Sequence, residues 1–376
     1  MNPRERALAA LNHQEPDKVP VDLGSTIVTT ITRTAYDNLR ACLDLPEDTS
    51  VSISHRQMDT VYPKEDLLQR YGVDFRPVYL QGPWDFKTQE LDGDMFIDEY
   101  QLKWKKASYY YDVIGRPLDA AETVSDVTRI MKWPDPYDQG RIHGVRERAL
   151  KLKEETDYLL VADIMCLGPF EGACFLRGYE KFLTDLHWNP ALAEAILDQI
   201  LEIDIQLWDV FLSQVGDLVD VAAQGDDLGT QRSLYISPKM MRKFVMPRLK
   251  KLYNFIHTRT KAKVFMHSCG SVYDAIPDLI EAGVDILNPL QRSAAKMDIA
   301  TLKKEFGKQL SFWGGGIDVQ QVLPYATLQQ IEEEVKKTLD IMAPGGGYVF
   351  VASHNIQADV TPDRIDKMYE TVLRLR

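Results

Sequence analysis

The residues with the clearest chemical potential are His267 and Cys269, which end the apolar run Ala262-Lys263-Val264-Phe265-Met266. An extended backbone sends side chains two residues apart to the same side, so this imidazole and this thiol aim at one point. Nitrogen and soft sulfur together are the donors Zn²⁺ prefers, at roughly 2.0 and 2.3 Å. Two ligands hold zinc poorly, and the best later candidate for a third is His354, which follows the apolar run Tyr348 to Ala352 and would lie on the same face of a barrel. On the residues alone the alternative is a buried strand end with a hydrogen-bonded histidine and an inert thiol.

Other polar groups stand where apolar runs stop: Asp22, Asp163, Gln224, Asp226, Asp227 and Gln291. Barrel enzymes carry their catalytic groups at such strand ends. Each could equally be a helix cap or a turn residue, and Asp226-Asp227-Leu228-Gly229 has ordinary turn composition. The clusters Gly314-Gly315-Gly316 and Gly345-Gly346-Gly347 fit neither phosphate-cradling motif and read as tight turns. Cys42, Cys166 and Cys174 read as small buried apolar residues, with Cys166 the least certain because it follows a strand.

The elements that must position these groups alternate along the chain. Strands are expected at Val19 to Leu23, Tyr158 to Ile164, Leu218 to Gln224, Lys263 to Met266, Asp285 to Leu290, Leu310 to Trp313 and Tyr348 to Ala352. Amphipathic helices are expected at Ala191 to Val215, Pro238 to Arg259, Val272 to Ala282 and Leu328 to Met342. Short apolar strands alternating with helices are the pattern of a parallel α/β fold, here a (β/α)8 barrel with about seven units visible. Residues 78–136 break the rhythm with period-two alternation around Met95 to Lys105 and the tripeptide Tyr109-Tyr110-Tyr111, and read as an antiparallel insertion. That insertion is expected either to bring aromatic side chains such as Trp84 and Tyr110 to a pocket or to pack as a peripheral hairpin. With no linker or repeat, residues 1–376 read as one domain.

Composition removes several classes of function. Hydrophobic residues at 45% and charged residues at 27% are ordinary globular usage, which excludes a disordered or fibrous chain. A formal net charge of -12 gives no general attraction for phosphate backbones or anionic lipid, so no nucleic-acid partner is expected. No run approaches the roughly 20 apolar residues of a membrane span, and the N-terminus lacks a secretory apolar region. Four cysteines without CxxC spacing indicate no disulfide framework, so a cytoplasmic location is expected. Nothing in these features sets an oligomeric state.

At these residues the sequence resembles the uroporphyrinogen decarboxylase superfamily, and its corrinoid-dependent methyltransferase branch more closely than the decarboxylase proper. The resemblance starts with Met1-Asn2-Pro3-Arg4-Glu5-Arg6 through Asp17-Lys18-Val19-Pro20-Val21. It continues at Gly225-Asp226-Asp227-Leu228-Gly229-Thr230-Gln231, His267-Ser268-Cys269-Gly270 and Trp313-Gly314-Gly315-Gly316-Ile317-Asp318, and closes with Gly345-Gly346-Gly347-Tyr348-Val349-Phe350. Decarboxylases of the superfamily bind substrate carboxylates through arginines in a Met-Arg-Gln-Ala-Gly-Arg segment after the first strand. Here that region reads Asp22-Leu23-Gly24-Ser25-Thr26-Ile27.

The resemblance to the methyltransferases implies a zinc site, since their His-X-Cys pair matches His267 and Cys269. Their later cysteine is replaced here by Ser353-His354-Asn355-Ile356. One thiolate and two imidazoles leave Zn²⁺ formally more positive than two thiolates would, which suits drawing electrons from a heteroatom that must leave. The implied activity is that of an O-demethylase-like methyltransferase: zinc on His267, Cys269 and His354 binds a small methylated substrate, and the methyl passes to the Co(I) corrinoid of a partner protein. Asp22, Asp163, Gln224 and Asp227 are the expected catalytic or ligand-supporting groups. Competing readings are methyl transfer from a corrinoid to a thiol or other acceptor, a metal-free decarboxylase or lyase, and a non-catalytic partner-binding barrel.

Overall fold

In the computed structural model, residues 1–163 and 167–376 are described, so Ile164, Met165 and Cys166 lie outside the described residues. Seven parallel strands form one sheet in which sequence neighbours are also spatial neighbours. They are β1 (Phe75–Val78), β2 (Leu159–Ala162), β3 (Val221–Gly225), β4 (Lys263–His267), β5 (Ile286–Asn288), β6 (Ser311–Trp313) and β7 (Tyr348–Val349). The ends of this sheet are joined by residues 20–22. Phe350 N–H donates to Pro20 O, Asp22 N–H to Phe350 O, and Asp74 N–H to Val21 O. An eighth extended segment thus closes the barrel between β7 and β1.

Side-chain parity along the strands decides what faces the interior. Phe75, Leu159, Val161, Val221, Ala223, Phe265, Ile286, Trp313 and Val349 form one buried cluster inside the barrel. Leu160, Ala162, Ala222, Val264, Met266, Leu287, Phe312 and Tyr348 belong to the outer core against the helices. The Trp313 ring fills the centre, with its centroid 4.4 Å from that of Phe75 and 5.4 Å from that of Phe265. Ala7 and Leu11 of the helix Pro3–Leu11 pack on the same cluster. That helix is joined to the barrel by Ser311 Oγ donating to Leu11 O and Gly347 N–H donating to Ala10 O.

Strand β1 escaped the sequence reading because Phe75-Arg76-Pro77-Val78 holds an arginine and a proline where apolar alternation was sought. Arg76 points outward, where it pairs with Glu65 and stacks 3.5 Å over the Tyr158 ring. The remaining strands and the helices Pro190–Val215 and Leu328–Met342 lie where the periodicity placed them, within a few residues. The helix expected over Pro238 to Arg259 is instead Pro238–Met240 and Met246–Arg259 joined by a π-turn at Met241–Val245. Pro247 has no N–H to donate to the preceding turn, and a widened turn accommodates that loss.

The insertion forms a four-stranded antiparallel sheet of Gln89–Leu91, Met95–Ile97, Lys103–Lys106 and Tyr111–Gly115. A second small sheet, of Ile31–Thr32, Thr60–Tyr62 and Ser52–His55, was not foreseen from the sequence. The two sheets meet where Tyr111 N–H donates to Gln57 O. Among the described residues no helix is long and apolar enough to cross a membrane.

Candidate metal centre

Parity in β4 turns Val264 and Met266 outward and Phe265 inward, so His267 also faces the interior. In register beside it stand Gly225 of β3 and Asn288 of β5. Asn288 Nδ2 donates to Trp313 O at 2.8 Å, which leaves its Oδ1 facing His267 Nδ1 at 2.5 Å. An amide oxygen can only accept, so Nδ1 carries the hydrogen and Nε2 presents its lone pair on the other side of the ring. Nε2 lies 3.4 Å from Cys269 Sγ.

Cys269 is aimed by its own backbone: its N–H donates to Asp227 Oδ1 at 2.7 Å, and the following Gly270 N–H donates to Gln291 Oε1 at 2.6 Å. Asp227 Oδ1 is also 3.8 Å from His267 Nε2. His354 enters from the segment after β7. It is held between two tethered neighbours, Ser353, whose N–H donates to Ile317 O, and Asn355, whose side chain joins Thr30 N–H to Ile27 O. The His267 and His354 rings meet edge to face with centroids 5.4 Å apart. One donor atom from each of His267, Cys269 and His354 lies within 4.8 Å of the others.

The electrostatics suit a cation. Burial pushes the His354 imidazole down to about 3 and holds His267 below its ordinary value, so both rings are neutral and could serve as ligands. Burial, with the Asp227 and Glu171 carboxylates nearby, pushes the Cys269 thiol well up. A divalent ion at this point would reverse the sign of that field and favour the thiolate. Replacing Asn288 by alanine frees the His267 ring to rotate and change tautomer, and zinc affinity is expected to fall by about 10- to 100-fold. Metal titration of the variant measures this; an unchanged affinity would show that Asn288 does not hold the ring.

The other expected residues are placed differently. Of the four catalytic candidates, only Asp227 joins the cluster. Gln224 is corrected: parity puts it on the outer face of β3, where Oε1 accepts from Trp208 Nε1 at 2.8 Å and Nε2 donates to Gly225 O. Asp22 and Asp163 do face inward, but both are fully enclosed. Asp22 accepts from Ser25 N–H, Ser25 Oγ and Trp313 Nε1, and Asp163 accepts from Ile27 N–H and the Tyr62 hydroxyl. They fasten residues 22–30 across the barrel instead of presenting oxygens to a substrate. Burial raises the Asp22 carboxyl above its usual range, against the bonds from Ser25, Thr29 and Trp313.

Asp226 is also structural. It accepts from Phe170 and Glu171 N–H at the start of the helix Pro169–Arg177, and burial pushes its carboxyl up to about 7. Trp84 stays at the surface, 63% exposed beside His143, so the stacking role considered for it is withdrawn. Tyr110 of the insertion comes close enough to Cys269 for the two to interact electrostatically, and its hydroxyl accepts from Gln357 Nε2 at 2.5 Å.

Sequence reasoning missed Asn288. Asn288 ends an apolar strand with inward parity, a signal that was available.

Comparison with known proteins agrees with this architecture. Curated uroporphyrinogen decarboxylases are similar at low identity. That of Geobacter metallireducens is 23% identical over 316 residues, covering 77% of this chain and 86% of that protein. That of Geotalea daltonii is 24% identical over 319 residues with the same coverage. A solved methyltransferase from Methanosarcina mazei shares the fold across 100% of this chain and 99% of its own, with TM-score 0.67 and 18% identity. The family model "Uroporphyrinogen decarboxylase (URO-D)" matches residues 113–375, well over half of the chain, and the protein therefore belongs to the uroporphyrinogen decarboxylase family.

Proposed function

We propose that this chain is a zinc-dependent methyltransferase that takes a methyl group from a small methylated, O-demethylase-type substrate for the Co(I) corrinoid of a partner protein. The observation that carries the reading is the convergence of His267, Cys269 and His354 from two separate strand ends. The methyltransferase of the same fold supports it. When bound, zinc supplies Lewis acidity to the heteroatom that must leave.

The chain's own residues do the rest. Asn288 fixes the tautomer of His267, and Asp227 fixes the backbone that carries the thiol. Ser353 and Asn355 hold His354 in place, while Gln357 keeps the Tyr110 hydroxyl beside the cluster. Methyl transfer by in-line displacement needs donor and acceptor on opposite sides of the carbon, so the substrate must be oriented with its methyl away from the ligands. The thiol of Cys269 also belongs in a reducing cytoplasm.

Metal analysis combined with methyl transfer from a panel of methoxylated compounds to reduced cobalamin tests the proposal. Transfer that requires zinc supports it. Running the reaction backwards from methylcobalamin to a thiol decides the direction. Less than about half an equivalent of zinc, removable without effect on activity, would favour a metal-free decarboxylase or lyase instead. The names of the curated relatives favour that second reading. The arginine-free segment 22–27 and the enclosure of Asp22 oppose it.

Zinc loading at neutral pH is expected to release about one proton per ion. The raised thiol is protonated before the metal arrives and must ionise, whereas both imidazoles are already neutral. A pH indicator in weak buffer reads the release, and Cys269→Ser should abolish it. A release of two protons would mean that a protonated histidine also binds.

A further inference from the structure

Outside the barrel, a cavity of about 400 Å³ is enclosed by outward-facing residues of β1 and by the helices Glu65–Arg70 and Val145–Glu155. Sites for small organic ligands have volumes of roughly 300–1,000 Å³. Its walls are largely apolar. Leu68 and Val78 are buried and Leu152 is half-buried, and the rings of Tyr62 and Tyr79 stack with centroids 4.4 Å apart and planes 8° from parallel. The aromatic wall is fixed by the protein itself. The Tyr62 hydroxyl donates to Asp163 in the barrel interior, and Tyr79 O accepts from Arg148 Nη2 at 3.3 Å. A wall held in this way has little rotamer freedom left to lose on binding.

Five ionisable groups other than the tyrosines line the cavity: Glu65, Arg76, Arg148, Lys151 and Glu155. Arg76 and Glu65 neutralise each other at 2.7 Å, and Lys151 lies 4.0 Å from Glu155. Arg148 is left over. It donates to two carbonyl oxygens, His143 O and Tyr79 O, and no carboxylate pairs with it among the described residues. Its guanidinium carbon is 5.7 Å from the centre of the Tyr79 ring. In a chain of net charge -12 this cavity therefore carries an excess of one positive charge, placed at the edge of an aromatic wall. A flat apolar body fits against the tyrosines and apolar side chains, and a carboxylate on that body can take the guanidinium fork. A cationic head would meet Arg148 as a like charge, and a neutral one would forgo the ion pair.

We propose that this cavity is a ligand site, separate from the metal cluster, that binds aromatic monocarboxylates. Tyr62, Tyr79 and Leu152 hold the ring, and Arg148 holds the carboxylate. The inference stands whether or not the chain transfers methyl groups.

The test is calorimetric binding to the zinc-loaded protein of three probes with one ring system: 2-naphthoate, 2-naphthylmethanol and 2-naphthylmethylammonium. The carboxylate is expected to bind about fivefold more tightly than the alcohol, and the ammonium to bind weakest. Arg148→Met keeps the unbranched stem without the charge and should bring the carboxylate-to-alcohol ratio to about one, whereas Arg148→Lys should restore part of it. Leu152→Trp should fill the cavity and weaken both ligands by about tenfold or more. If that variant does not fold, the Arg148 variants, made at an exposed position, decide the matter. A carboxylate can also ligate zinc, so Cys269→Ser is the control, and naphthoate binding should survive it. Binding lost in Cys269→Ser, a ratio unchanged in Arg148→Met, the ammonium binding most tightly, or no measurable heat with naphthoate would overturn the proposal.

Discussion

Replacing His354 by alanine is expected to lower zinc affinity by at least about 100-fold, because losing a group that merely supports a ligand already costs about 10- to 100-fold. The His267 and Cys269 pair would remain, with Nε2 and Sγ still 3.4 Å apart. Two donors cannot complete a tetrahedral site, so methyl transfer should fall with the metal. Equilibrium dialysis against a zinc chelator measures the affinity, and zinc content equal to wild type would remove His354 from the centre. His354→Cys separates holding metal from activating substrate. It should keep zinc, since thiolate is a good ligand, yet slow demethylation more than it weakens substrate binding, because a second thiolate lowers the Lewis acidity.

A comparably large effect is expected from Gly270→Ala, through the backbone. Gly270 adopts φ +84°, and an added Cβ would lie 2.5 Å from the carbonyl carbon and oxygen of Gly229 and 2.6 Å from Thr230 O. These are backbone atoms and cannot swing aside like a flexible side chain. The left-handed conformation and the clash together should cost about 2–4 kcal/mol. Either the turn shifts and carries Cys269 away from His267, or the fold loses that stability. Gly345→Ala provides the comparison: its φ is +75°, but nothing lies within 4 Å of the added carbon, so only the strain of about 1 kcal/mol applies. Thermal unfolding and zinc content of the two variants read the difference, and equal melting temperatures would show that the turn after Cys269 relaxes freely.

The two scales of this protein were unequally legible in its sequence. His267 and Cys269 could be paired without coordinates because a strand repeats every two residues, and the same parity correctly faces Asn288 and Asp22 inward. Parity also turns Gln224 outward toward Trp208, yet its place at a strand end made it look like a site residue. Strand β1 was hidden by Arg76 and Pro77, and the Arg76 side chain is accommodated on the outside of the barrel. The segment 20–22 was readable as a strand, but its role in closing the barrel depends on bonds to Phe350 and Asp74, far away in the chain.

By itself the sequence determined the alternation of strands and helices, the inward direction of the His-X-Cys pair, and the absence of arginine after the first strand. These are local properties, set by backbone period and residue type within a few positions. Only the tertiary structure decided that His354 comes within 4.8 Å of that pair and that Asn288 selects the tautomer. Such convergence depends on the register between neighbouring strands and on where the loops leave the rim. Both are fixed by packing among residues far apart in the chain, which local periodicity does not encode.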